Sequence, residues 1–315
     1  PLEDPNCQLN AQFAEDIRGW SKICNRLYIW NYNTDFAHYH APFPNLRVIG
    51  PNIRFFARHN VKGIFEQGTY PGCGGGESAE LKSYIMARCL WKPQTDDREV
   101  MIEFLKAVYG PAAPAMLRYY DILHDSVRDR NLHIGIFMSP NQWFTPELIK
   151  ECRKPMDEAM NIVQGNPELE RRARKARMWL KYAELCSGER SWTRQGDVIY
   201  QNFDEGYSQL LESYISDLKE FGITQIREIG DLDSWIQNMR SNAAARRCPV
   251  VTLKNPSLCI EAIPALGGRI HQMRLAGERG RDLLYCLAPG SPGYPFEGGY
   301  EEYTQRGYRS VGWQE

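Results

Sequence analysis

RLYIWNYNTDF, residues 26–36, and VKGIFEQGTY, residues 61–70, decide the fold of this chain. Each is a short β-branched and aromatic run that ends in polar and acidic side chains. Arg26 to Trp30 leads into Asn31-Tyr32-Asn33-Thr34-Asp35, and Val61 to Phe65 leads into Glu66-Gln67-Gly68. Such runs predict short buried strands. Helical spacing surrounds them. Phe13, Ile17, Trp20 and Ile23 predict a helix over about 9–23, and Ile49, Ile53 and Phe56 predict one over 47–59, with Asn60 near its C-cap. Gly72 to Gly76 then feeds a helix over about 78–91 carrying Leu81, Tyr84, Ile85 and Cys89. Helix, strand, helix, strand, helix within residues 1–92 is the rhythm of a parallel α/β fold.

The pattern changes at Trp91-Lys92-Pro93. Met101, Phe104, Leu105 and Val108 predict a helix closed by Gly110-Pro111, and further helices fit 112–129, 146–164, 167–186 and 204–221. Residues 93–243 therefore read as an all-helical region. Beyond Arg246-Arg247-Cys248-Pro249, strands are expected at Val250 to Leu253, Leu258 to Ile263, Arg269 to Leu275 and Asp282 to Tyr285. Turn signals separate them, so residues 248–315 predict the start of an antiparallel β-sandwich.

Composition narrows the function classes. The 315 residues carry a formal charge of −1, so no global field favours nucleic acid or an anionic membrane. The sequence has no unbroken apolar stretch near the ~20 residues of a membrane-crossing helix. With 43% apolar and 12% aromatic residues a packed core is expected. The nine cysteines are scattered, without CxxC pairs, and read as small buried hydrophobes rather than disulfide or zinc ligands. The start at Pro1 and the lack of a charged-then-apolar leader predict a piece of a longer protein.

In parallel α/β folds, chemistry sits where strands end and loops begin. Asp35 and Glu66 lie 31 positions apart, about one βα unit, and so project from neighbouring strand ends. Two carboxyl groups flanking a bond are what glycoside hydrolysis requires, one giving a proton and the other acting as base or nucleophile. Trp30 and Tyr32 suit the apolar faces of sugars, and Asn31, Asn33 and Gln67 suit their hydroxyls. The plainer alternatives are a helix cap or loop residue for the carboxylates and ordinary core for Trp30.

These segments, with Pro42-Phe43-Pro44-Asn45-Leu46, Glu80 to Tyr84, Leu90-Trp91-Lys92-Pro93 and Phe104 through Ala113, resemble a large, mostly bacterial family catalogued as a domain of unknown function. The likeness covers roughly residues 10–130. That family resembles TIM-barrel glycoside hydrolases, related in architecture to α-glucuronidases and β-hexosaminidases. The resemblance implies that residues 1–92 are the C-terminal part of a (β/α)8 barrel containing its last two strands. The earlier strands, with the usual general-acid position, would lie outside this chain.

Other signals are weaker. His38 and His40, either side of Tyr39, read as solvated loop residues or as part of a sugar site that also takes in Tyr70. Gly72 to Gly76 lacks a P-loop Lys-Ser/Thr and reads as a flexible loop. Arg171 to Lys181 gives a basic helix interrupted by glutamates, read as a solvated face. Trp143 and Trp192 are expected in loops of the helical region, either extending a sugar cleft or simply packing. Glu297, Glu301 and Glu302 among Tyr294, Phe296, Tyr300 and Tyr303 are read as a candidate second sugar surface. The expectation is a glycoside hydrolase with Glu66 as the catalytic carboxylate and Asp35 as its partner, needing no cofactor and no metal. Retention and inversion both stay open. The expected partner is a carbohydrate, not nucleic acid or membrane, with the parent protein secreted or periplasmic. The competing expectation is a non-catalytic carbohydrate-binding protein on a degenerate barrel. A purely structural module is the third.

Overall fold

A computed structural model describes residues 1–188, 190–203, 206–244, 246–275, 283–284 and 295. The chain divides into two compact units, Pro1–Ser187 with Leu210–Ile236, and Gly188–Gln209 with Gln237–Glu315.

The first unit opens with α1 (Gln8–Ile23), β1 (Leu27–Tyr32), α2 (Leu46–Arg58), β2 (Val61–Gln67) and α3 (Ala79–Trp91). The two strands pair in parallel, with Ile29 opposite Ile64, Trp30 opposite Phe65, Asn31 opposite Glu66 and Tyr32 opposite Gln67. The ladder thus extends two residues past each predicted strand and takes in residues expected in loops. Side chains alternate across a sheet. Ile29, Val61 and Ile64 pack against Leu2, Ala14, Ile17, Phe55 and Phe56 on the side of α1 and α2. Tyr28, Trp30 and Phe65 stand on the opposite face and are 70%, 65% and 55% exposed. Asn60 turns the chain from α2 into β2 at φ 61°, its side-chain amide donating to the Ser21 and Cys24 carbonyls.

Four longer helices follow: α4 (Asp97–Tyr109), α5 (Ala113–Asp129), α6 (Pro146–Val163) and α7 (Pro167–Cys186). Three of their starts are fixed by side-chain caps. Asp96 accepts from the Arg98 and Glu99 amides, Thr145 from Leu148, and Asn166 from Leu169. Gly110, at φ 52°, breaks α4 from α5. Their apolar stripes meet in one core that includes Met101, Leu105, Met116, Tyr119, Leu123, Leu148, Met156 and Leu180. The run Asp97–Asp129 is long and apolar enough to cross a membrane by length and composition, and its apolar side chains serve this core. The basic face of α7 is laced with ion pairs: Arg172 to Glu168, Lys175 to Glu80, Arg177 to Glu184, and Arg174 and Lys181 to Asp217. It is therefore not simply a solvated face.

Helix does not run unbroken to 243. A hairpin of β3 (Arg190–Gln195) and β4 (Val198–Phe203) follows α7, before α8 (Tyr207–Glu220) and α9 (Leu232–Ala243). The turn is Gly196-Asp197, with Gly196 at φ 59°. Trp192 lies in β3 and is buried, and Trp143 is buried in the helical core, so neither extends a cleft. β5 (Arg246–Pro249) completes a three-stranded antiparallel sheet with β3 and β4. A second sheet holds β6 (Val251–Lys254), β7 (Leu258–Ile263) and β8 (Arg269–Leu275). Val250, expected inside a strand, lies between β5 and β6. It joins Trp192, Ile199, Cys248, Ile263 and Leu266 in a common core. Of the strand expected over 282–285 only Leu283 and Leu284 are described, and the Leu283 amide donates to the Met273 carbonyl. The Glu297, Glu301 and Glu302 group lies outside the described residues.

Candidate functional site

The C-terminal ends of β1 and β2 carry the predicted residues on two faces. On the uncovered face the Trp30 indole donates to Gln67 Oε1 at 2.6 Å and meets Phe65 edge-on at 4.8 Å. Tyr32 shares this face. On the other face Asn31 and Asn33 both donate to Glu66 Oε2, at 2.9 and 2.5 Å. The Asn33 amide continues the ladder onto the Gln67 carbonyl. Glu66 is half-buried at the sheet edge, and two side-chain amides fix its orientation.

Asp35 is turned into the following loop and is buried. Its Oδ1 accepts from the Ala37 and His38 amides at 2.9 and 3.0 Å, an Asx turn that holds the loop's bend. Burial raises its pKa to about 7, against the lowering effect of those amides and of the Lys82 charge. The loop itself is clamped. The Phe36 amide donates to the Ile136 carbonyl, the Phe36 carbonyl accepts from the Glu228 amide, and the Tyr39 amide donates to the Ile226 carbonyl.

Neither histidine is a free loop residue. His38 Nδ1 lies 2.8 Å from the Tyr182 hydroxyl of α7, and burial, aided by the Arg227 charge, lowers its pKa. His40 is fully buried, with Nδ1 at 2.6 Å from the Tyr214 hydroxyl of α8 and Nε2 at 3.1 Å from the Cys73 carbonyl. Burial drives its pKa down to about 3. A neutral ring satisfies both contacts when Nε2–H donates to the carbonyl and the tyrosine O–H donates to Nδ1. Trp179 and Trp235 complete the aromatic wall around these tyrosines.

The loop after β2 is ordered by its glycines. Gly74, Gly75 and Gly76 take φ of 67°, 91° and 74°, and the Gly72 carbonyl accepts from both the Thr224 and Gln225 amides. Tyr70 stands half-exposed at its start. Behind it Lys82 and Glu77, both buried, pair at 2.7 Å. Glu77 also accepts from Ser78 and from the Phe43 amide.

The fold thus brings together Asn31, Asn33 and Glu66 on one face and Trp30, Tyr32 and Gln67 on the other. Asp35 and His38 are gathered in the loop above. Tyr182, Tyr214, Trp179 and Arg227 escape a reading of the sequence because they come from more than 130 positions away and carry no local signal that ties them to this loop. Among the described residues no group of three His, Cys, Asp or Glu side chains is placed to hold a metal ion. An apolar cavity of about 320 Å³ lies elsewhere, between α4 and α5, lined by Leu105, Pro111, Pro114 and Leu117 among others.

Residues 1–121 match the model of a family described as a domain of unknown function (DUF4838). No curated protein and no solved structure matches the chain.

Proposed function

We propose that residues 1–92 close a (β/α)8 barrel of a glycoside hydrolase, with Glu66 and Asp35 as its carboxyl pair. Parallel sheets are almost always covered on both faces. Among the described residues the two-stranded sheet is covered only on the α1 and α2 side, which leaves Tyr28, Trp30 and Phe65 bare. Further strands from a longer polypeptide would make that bare face the barrel interior. The C-terminal ends of β1 and β2 would then lie at its mouth, where barrel enzymes work.

The observation that carries the reading is the contrast between two carboxyl groups at neighbouring strand ends. Glu66 is oriented by two amides and half open, while Asp35 is buried with its pKa near 7. Asp35 can therefore carry or take a proton near neutral pH. Glu66, held at the strand end on the face opposite Trp30, is the group we assign to the anomeric carbon or its attacking water, reached over the rim of the sheet. Trp30 and Tyr32 supply ring faces for sugar stacking. Gln67, His38 and Tyr70 supply polar contacts at the rim, and Asn33, buried, acts through Glu66. Direct attack by Glu66 gives retention and a water between the carboxyls gives inversion, geometries of about 5 and 6.5–9.5 Å separation. The substrate class is a poly- or oligosaccharide met outside the cytoplasm.

The test is Glu66→Gln in the full-length polypeptide, assayed on a panel of aryl glycosides and natural oligosaccharides. The expected loss in kcat is about a hundredfold or more. Unchanged turnover on a substrate the native protein cleaves would remove Glu66 from the reaction. A non-catalytic sugar-binding protein is the second reading. It is favoured by the use of both carboxylates in internal hydrogen bonds, Glu66 with Asn31 and Asn33, and Asp35 with its own loop. Under that reading Trp30→Ala abolishes sugar binding and Glu66→Gln leaves it intact.

A further inference from the structure

Arg227 is the exception among the half-buried arginines of the first unit. Arg47 pairs with Asp121 and Asp125, Arg54 with Asp97, and Arg177 with Glu184. Among the described residues, no acceptor partners the Arg227 guanidinium, and its Nε is shut off from solvent with no hydrogen bond. A half-buried cation left without an acceptor is costly unless something else supplies one.

Its position is built rather than accidental. The antiparallel contacts Glu228 N to Phe36 O (2.8 Å) and Tyr39 N to Ile226 O (2.9 Å) bracket Arg227 against residues 37 and 38. The guanidinium folds back over Gly230, where φ is 128°, and a Cβ there would fall 2.4 Å from Nε. That atom is the far end of a flexible side chain, so glycine is favoured at 230 by its φ rather than by the space. Beside it, His38 has Nδ1 engaged by the Tyr182 hydroxyl. The ring thereby turns Nε2 away from that contact, and among the described residues Nε2 has no partner and is not sealed off.

We infer that Arg227 and His38 form an oxyanion subsite at the Asp35 loop, and that it receives the carboxylate of an acidic sugar. This rests on the saccharide-site reading above. With Nε shut off, the two Nη groups offer parallel N–H donors matched to a carboxylate, and His38 adds a neutral donor from Nε2.

The test is calorimetric binding of glucuronate, glucose and inorganic sulfate to the full-length protein and to Arg227→Met and Arg227→Lys. Glucuronate is expected to bind at least about tenfold tighter than glucose. Arg227→Met should remove that preference and leave glucose binding unchanged, and Arg227→Lys should restore part of it. Equal affinity for glucuronate and glucose in the native protein overturns the inference while leaving the saccharide site standing. Preference retained in Arg227→Met overturns it too. Sulfate matching glucuronate, with the same dependence on Arg227, would reduce the subsite to a generic anion site and overturn the sugar assignment. Loss of every sugar's binding in the native protein would instead fail the saccharide reading itself.

Discussion

Replacing Asp35 with asparagine should stabilise this protein at neutral pH, an unusual expectation for a buried, hydrogen-bonded residue. In the unfolded chain its carboxyl titrates near 3.8, and in the fold burial moves this to about 7. Below pH 3.8 both states hold the proton and the full stability is present. Between 3.8 and 7 only the folded state keeps it, so stability falls as pH rises. Above 7 both are ionised and the loss is constant. At about 1.4 kcal/mol per pKa unit the ceiling is about 4 kcal/mol, and local relaxation around a buried carboxylate that keeps two amide donors leaves about half, ~2 kcal/mol. The asparagine side chain keeps an Oδ1 for the Ala37 and His38 amides and never ionises. Urea unfolding followed by tryptophan fluorescence, from about pH 3.5 to 8, should show the variant equal to the native protein at the acid end. It should be ~2 kcal/mol more stable at the alkaline end. The buried histidines are common to both proteins and cancel in the difference. A difference that stays flat across this range would refute the account of Asp35 as an ionisation held off by burial. If Asp35 also moves a proton in catalysis, the variant gains stability as it loses turnover, the trade expected of a strained functional group.

Lys82→Met should cost about 3–5 kcal/mol, because Glu77 is left buried without its cation. Adding Glu77→Gln should recover part of that, and a double-mutant cycle by urea unfolding reads the coupling. Gly76→Ala forces a side chain into φ 74° and sets a Cβ 2.6 Å from Thr69 Cγ2. The backbone cost alone is about 1–2 kcal/mol. Thr69→Ser, which removes that methyl, should relieve the clash with residue 69 and leave the backbone cost and the 3.1 Å approach to the Tyr39 carbonyl, as measured by thermal unfolding.

Local signals made the elements legible. The stripes of α2 and α8 and the runs that became β1 and β2 stand in the sequence at the right periods. The parallel rhythm follows from their order. The hairpin of β3 and β4 carried its signal too: Gly196-Asp197 sits between Trp192-Thr193 and Val198-Ile199. It was overridden by the strong helical stripes on either side. Glu66 falls within the last turn of the β2 ladder and Asp35 three residues beyond β1, as their place after apolar runs implies. What local pattern does not encode is direction. The register sets Asn31 opposite Glu66 and Trp30 opposite Phe65, so the acid and the ring that read as one cluster point to different faces. Nor does it encode that a histidine at 40 would find a tyrosine at 214. That pairing depends on how helices pack, a property of the whole unit rather than of any window.

The clamp on residues 36–39 has a consequence for synthesis. Phe36 and Tyr39 finish their hydrogen bonding only on residues 226–228, about 190 positions later. Ribosomes add roughly 5–20 residues per second, so the loop bearing Asp35 waits on the order of 10–40 seconds for its partner segment. During that interval β1, β2 and their helices can settle by local contacts, and the Asp35 loop can take its contacts with Glu77 and Ile136, while its side toward residues 226–228 stays open. The proposed site is therefore assembled last, and an error in the late segment would yield a chain that folds its early half and still lacks a finished loop.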